Sequence, residues 1–184
     1  MSGLADTIRT VRGRAVRCRD TGDGPPVLLL HGIGRTLADF AELHGRFARD
    51  HRVISLDLAG HGGSAPLDGP HTLAALARAA ADCLDALGVP GPVHLVGNSL
   101  GGAVAMRLAV DDPARAASLV LVASAGFGRE VTIGLRLLAV RPLARLPRAR
   151  THLFADTGHL PQVERADEFH RLVTGFWAGR TAGR

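Results

Sequence analysis

The chain has 184 residues, 46% of them hydrophobic and spread along its length, which suits one globular domain with a sizeable core and argues against disorder. Its net charge of +5 rests on arginine alone, scattered except for Arg136, Arg141, Arg145, Arg148 and Arg150, and aromatics at 4% are too few for base-stacking platforms, so no nucleic-acid partner is expected. No apolar run reaches the about 18 residues of a membrane span, and Asp6, Arg9, Arg12 and Arg14 interrupt the opening where a secretory signal is apolar, so a cytoplasmic protein with no membrane partner is expected.

Taken in order, residues 11–20 mix apolar and arginine positions in partial alternation and predict an edge strand or hairpin, followed by a Gly/Pro-rich turn at 21–26. Residues 27–30 are a continuous apolar run, the pattern of a parallel strand buried on both faces. Leu37, Phe40, Leu43 and Phe47 recur at helical spacing and predict a helix over 37–49. A strand follows at 53–58, a glycine-rich loop at 59–64, an alanine-rich helix at 72–87 that stops at Gly88, a buried strand at 93–96, a helix at 100–111 and a strand at 118–122. Strands are also expected at 151–155, with a helix within 160–177. Alternation of this kind predicts an α/β fold with a mostly parallel, doubly wound sheet, because parallel strands need crossovers and right-handed crossovers lay helices on both faces. Cys18 and Cys83 lack a C-x-x-C partner and fall within regular segments, so both are expected to be free and buried. The nine histidines show no metal-ligand spacing, and neither a metal nor any other cofactor is expected.

Gly97-Asn98-Ser99-Leu100-Gly101 is a G-x-S-x-G motif placed directly between a predicted strand and a predicted helix, the context in which its chemistry works. The turn is sharp enough to strain the serine backbone and expose its hydroxyl, side chains at 97 or 101 would collide with it, and the following helix aims its first N–H groups at the reacting centre. A serine hydroxyl is a poor nucleophile until a base takes its proton, so a histidine must come within hydrogen-bond reach of it.

Leu30-His31-Gly32-Ile33-Gly34, Asp57-Leu-Ala-Gly-His-Gly-Gly-Ser64, Gly97-Asn-Ser-Leu-Gly-Gly102 and Gly158-His159 together resemble the α/β-hydrolase superfamily, of the α/β-hydrolase-1 serine hydrolase type, over about 11–141 and 146–177. The resemblance implies Ser99 as nucleophile, His159 as base, and the backbone N–H groups of Ile33 and Leu100 as the oxyanion hole. It gives Asp57 and His61 a scaffolding role at the pocket mouth. Relative to the family, most of the cap, one core strand and the loop carrying the acid are absent, leaving a single core domain over 1–184 with a cap remnant at about 131–146. Glu130, just past the strand at 118–122, is the candidate substitute acid; Asp156 is nearer to His159 in sequence. Skipping one strand would displace His159 by about one inter-strand spacing, ~4.8 Å, unless its loop compensates.

The function expected is a serine hydrolase acting on a small-molecule ester, thioester or activated carbonyl, with turnover weakened by a factor on the order of 10⁴ if no acid orients the histidine. Two alternatives stand beside it. One is a C–C bond hydrolase, because the Gly-Asn-Ser-Leu-Gly-Gly elbow also resembles that group. The other is a shortened, non-catalytic hydrolase-fold domain that binds rather than turns over.

Overall fold

The computed structural model describes residues 5–89, 91–123, 152, 154 and 157–181. Strands β1 (Thr7–Val11) and β2 (Arg14–Thr21) form a hairpin whose two-residue turn holds Arg12 at φ 46° and Gly13 at φ 78°, the paired left-handed conformation that matches the sheet twist. The expectation over 11–20 thus resolves as a hairpin. Its first strand starts earlier because four of its five residues are exposed and carry no buried pattern.

Strands β3 (Pro26–Leu30), β4 (Arg52–Leu56), β5 (Val93–Asn98) and β6 (Ala116–Val122) complete a six-stranded sheet in the order β1-β2-β4-β3-β5-β6. Strand β3 runs parallel to both β4 and β5, and β5 to β6, while the β1–β2 and β2–β4 pairs are antiparallel. This is the mostly parallel α/β sheet expected, and β6 is its last strand among the described residues.

Strict alternation along the central strands feeds two cores. Leu28, Leu30, Ile54, Leu56 and Leu95 face helices α2 (Leu73–Ala86) and α3 (Leu100–Asp111), where Leu76, Ala80, Leu84, Val104 and Leu108 meet them. Val27, Leu29, Val53 and Val96 face the other layer. There Phe40 of the 3₁₀ turn Leu37–Phe40, Leu43 and Phe47 of α1 (Ala41–Phe47), and Phe169, Val173 and Trp177 of α5 (Ala166–Thr181) close the core. The Thr72 hydroxyl accepts from Ala75 N at 3.1 Å and starts α2 one residue inside the predicted bound.

The helix expected over 37–49 is a 3₁₀ turn followed by α1. The helix expected within 160–177 is two helices, α4 (Pro161–Glu164) and α5, because Arg165 leaves helical geometry at φ −132° and ψ 45°. Cys18 and Cys83 are free and fully buried, as expected. Among the described residues no helix is long and apolar enough to cross a membrane. The cap remnant at 131–146 lies outside the described residues. So does most of the strand expected at 151–155, of which His152 and Phe154 are described and neither is in a strand.

Candidate active site

Ser99 sits between the end of β5 and the first residue of α3 with φ 49° and ψ −111°, a conformation that a non-glycine residue holds only at a cost on the order of 1–3 kcal/mol. Its backbone N–H donates to Val122 O at 2.9 Å, so the bend is fastened to the end of β6. The two flanking glycines are sterically required. A Cβ on Gly97 would lie 2.3 Å from Gly101 O, and one on Gly101 would lie 2.1 Å from Leu30 O.

The loop after β3 lies against this bend. A Cβ on Gly32 would approach Ser99 Cβ to 3.4 Å and Asn98 Oδ1 to 3.0 Å. His31, fully buried, orients that loop: its Nδ1–H donates to Gly32 O at 2.7 Å while Nε2 accepts from Leu58 N at 3.0 Å. Acceptance at Nε2 requires the neutral ring, and burial pushes its pKa down. Leu100 opens α3, so its N–H has no intrahelical acceptor. Ile33 follows Gly32 and is 72% exposed.

Asp57 is buried and spoken for. It accepts from Leu37 N at 2.7 Å and Gly63 N at 2.8 Å and pairs with Arg17 at 3.3 Å. It thereby closes its own loop and ties it to the turn at Leu37 and to β2, a scaffolding arrangement, and the His61 ring of the same loop lies 5.3 Å from that of His31.

His159 is exposed, and its main chain is held at the bend from two sides. Asn98 Nδ2 donates to His159 O at 3.1 Å and to Val122 O at 3.2 Å. The Glu164 carboxylate accepts from Gly158 N at 2.8 Å and from Leu160 N at 3.2 Å. The histidine loop therefore rests on the residue preceding Ser99. Among the described residues no hydrogen bond joins the His159 ring to Ser99 Oγ or to a carboxylate. Glu130 and Asp156 lie outside the described residues. No group of three His, Cys, Asp or Glu side chains among those described is arranged to hold a metal ion.

Two residues here escaped the sequence reading. Asn98 stood as the unspecified position of the motif, yet it is 1% exposed and its Oδ1 has no hydrogen-bond partner, which ordinarily costs about 1–3 kcal/mol. Glu164 gave a fainter signal: a carboxylate in the first turn of a helix that starts with proline, reaching back to N–H groups at the helix entrance as a capping box does.

Comparison with known proteins matches residues 25–176 to a family described as alpha/beta hydrolase fold. The chain is 38% identical over 151 residues to the dihydrolipoyllysine-residue acetyltransferase component of the acetoin cleaving system of Cupriavidus necator, a match covering 80% of this chain and 40% of that protein. It is 38% identical over 126 residues to a 2-hydroxymuconate semialdehyde hydrolase of Pseudomonas putida, covering 67% of this chain and 44% of the relative. Among solved structures, a putative lipase from Acinetobacter baumannii superposes with a TM-score of 0.66 at 29% identity, over 73% of this chain and 46% of that one. The chain spans about two fifths of the length of the curated relatives it matches.

Proposed function

The chain belongs to the α/β-hydrolase fold family, and on that premise we propose that it is a serine hydrolase working by acyl transfer on a small-molecule ester, thioester or activated carbonyl. The observation that carries this reading is the strained backbone of Ser99, beside the Gly32 loop and one residue after Asn98, which holds the His159 main chain. Strain of this kind persists only where surrounding structure over-determines it, and it throws the hydroxyl out of the strand line.

In the proposed reaction Ser99 Oγ attacks the carbonyl carbon while the His159 imidazole takes its proton. The carbonyl electron pair moves onto oxygen, and the N–H groups of Ile33 and Leu100 hold it; one such donor is worth about 2.7–4 kcal/mol in comparable sites. Collapse of the tetrahedral species breaks the bond to the leaving group, which receives the imidazolium proton. Water, deprotonated by the same imidazole, then attacks the acyl carbon; the bond to Ser99 Oγ breaks, the acid leaves and Oγ takes the imidazolium proton back. A hydrogen bond between base and nucleophile is often formed only in the substrate complex, so the separate side chains of the free protein are compatible with this course.

Similarity to a 2-hydroxymuconate semialdehyde hydrolase favours a second reading, in which the bond broken is carbon to carbon. A fluorophosphonate probe tests the shared first step. Labelling of the wild type and not of Ser99→Ala is expected; equal labelling of both, or of neither, would leave a binding domain as the better account.

A further inference from the structure

Building on the serine-hydrolase reading, we propose that Asn98 and Glu164 are positioning residues that together clamp the His159 main chain against the nucleophile bend. Three side-chain hydrogen bonds converge on the main chain around the histidine.

The clamp has two jaws. From the sheet side, Asn98 Nδ2 spends both hydrogens on carbonyls, one on Val122 and one on His159, 61 residues away. The amide cannot be turned over, because its oxygen would then face two carbonyl oxygens. Asn98 Oδ1 is consequently left buried without a partner, beneath Gly32. A leucine or valine there would avoid that penalty but could not hold either carbonyl.

From the helix side, Glu164 takes the N–H groups on either side of His159. Gly158 is part of this jaw, because a Cβ there would come within 3.0 Å of Glu164 Oε1. The peptide groups before, at and after the histidine are thus fixed by side chains while its ring stays exposed.

The test uses the full chain, the fluorophosphonate probe, and Asn98→Ala, Glu164→Ala and Glu164→Gln, each alone and combined with His159→Ala. Misplacing a reacting group by about 1 Å costs up to about 100-fold, so the maximal labelling rate should fall about 10- to 100-fold in either alanine variant, with the half-saturating probe concentration unchanged. Glu164→Gln, which keeps one acceptor oxygen, should recover part of the rate. Without His159, none of the three should lower the residual rate further. Wild-type rates in both alanine variants, or a full loss that persists in the His159→Ala background, would overturn the clamp. Should Asn98→Ala not fold, the exposed Glu164 supplies the decision alone.

Amide hydrogen exchange separates this idea from the reading it rests on. Gly158 and Leu160 should be protected in the wild type and exchange at least roughly tenfold faster in Glu164→Ala. An unlabelled wild type would remove the acyl-transfer reading, yet unchanged exchange in Glu164→Ala would still refute the clamp by itself.

Discussion

The Trp177 indole N–H donates to the Ser118 hydroxyl at 3.0 Å, joining the final helix to β6. The same hydroxyl lies 2.7 Å from His94 Nδ1, and the indole packs on the rings of His94, His51 and Phe47 at 4.7, 4.9 and 5.0 Å. Trp177→Ala should therefore cost about 3–5 kcal/mol of unfolding free energy, and Trp177→Phe, which keeps most of the ring and loses the bond, nearer 1 kcal/mol for the bond itself. Urea titration measures both. Helix α5 follows directly on the segment that holds Glu164 and His159, so the alanine variant should also label more slowly at Ser99.

Asp57 separates scaffold from catalysis. Its removal strands the Leu37 and Gly63 N–H groups and leaves Arg17 with Asp6 as its remaining carboxylate partner. Leaving main-chain N–H groups without an acceptor costs about 1–3 kcal/mol each where they are buried, so Asp57→Ala should be strongly destabilised. The labelling rate per folded molecule should nonetheless stay near wild type. A folded Asp57→Ala protein that has lost labelling would place this carboxylate in the reaction.

The parts of the fold that were legible in the sequence are those whose physics is local. Val27 to Leu30 is apolar at every position because both faces are covered, and Leu100 to Asp111 emerges with the same bounds because the bend before it and the loop after it are marked by composition. The bend itself was legible because steric exclusion at Gly97 and Gly101 forces a residue type. The clamp was not. Asn98 and Glu164 act through side-chain bonds to main chain, one of them 61 residues distant, and such bonds leave no period in the sequence. The break at Arg165 was hidden because the helical spacing lies wholly after it, in Phe169, Leu172 and Phe176, and nothing in the composition at 165 marks a stop.

His44 sets a pH dependence of stability. It is fully buried between Ser55 Oγ at 2.7 Å and Thr21 Oγ1 at 2.9 Å, and burial, with Arg19 near by, lowers its pKa to about 4 from the usual 6.5. The unfolded chain binds this proton more readily than the native one, so stability is complete above the unfolded value. It falls as pH drops from about 6.5 to about 4, by on the order of 3 kcal/mol in total, and levels off below. His31, lowered by burial as well, adds to the loss in the same direction. Urea midpoints at pH 7.5, 6 and 5 should show the decline. His44→Asn, which has no proton to gain, should flatten part of it; a slope identical to wild type would show that His44 is not its source.

Gly101→Ala carries the most direct structural consequence. The added methyl would meet main-chain oxygens, Leu30 O at 2.1 Å and His31 O at 2.6 Å, and no rotamer change can move a carbonyl of the central strand aside. Relief requires α3 to lift off β3 or Ser99 to give up its conformation. The first opens the core at Val104 and Ala105; the second turns the hydroxyl away from the Gly32 loop. Overpacking at a rigid site costs about 1–3 kcal/mol where side chains can yield, and here the cost should reach or exceed the top of that range. Gly175→Ala, where an added Cβ meets nothing within 4 Å in the interior of α5, is the control: it should leave labelling as it is and raise stability by about 0.5–1 kcal/mol, the ordinary helix preference for alanine over glycine. If Gly101→Ala keeps both the wild-type melting point and the wild-type labelling rate, the contact between the bend and Leu30 is looser than described. The steric basis for the exposed serine would then be lost.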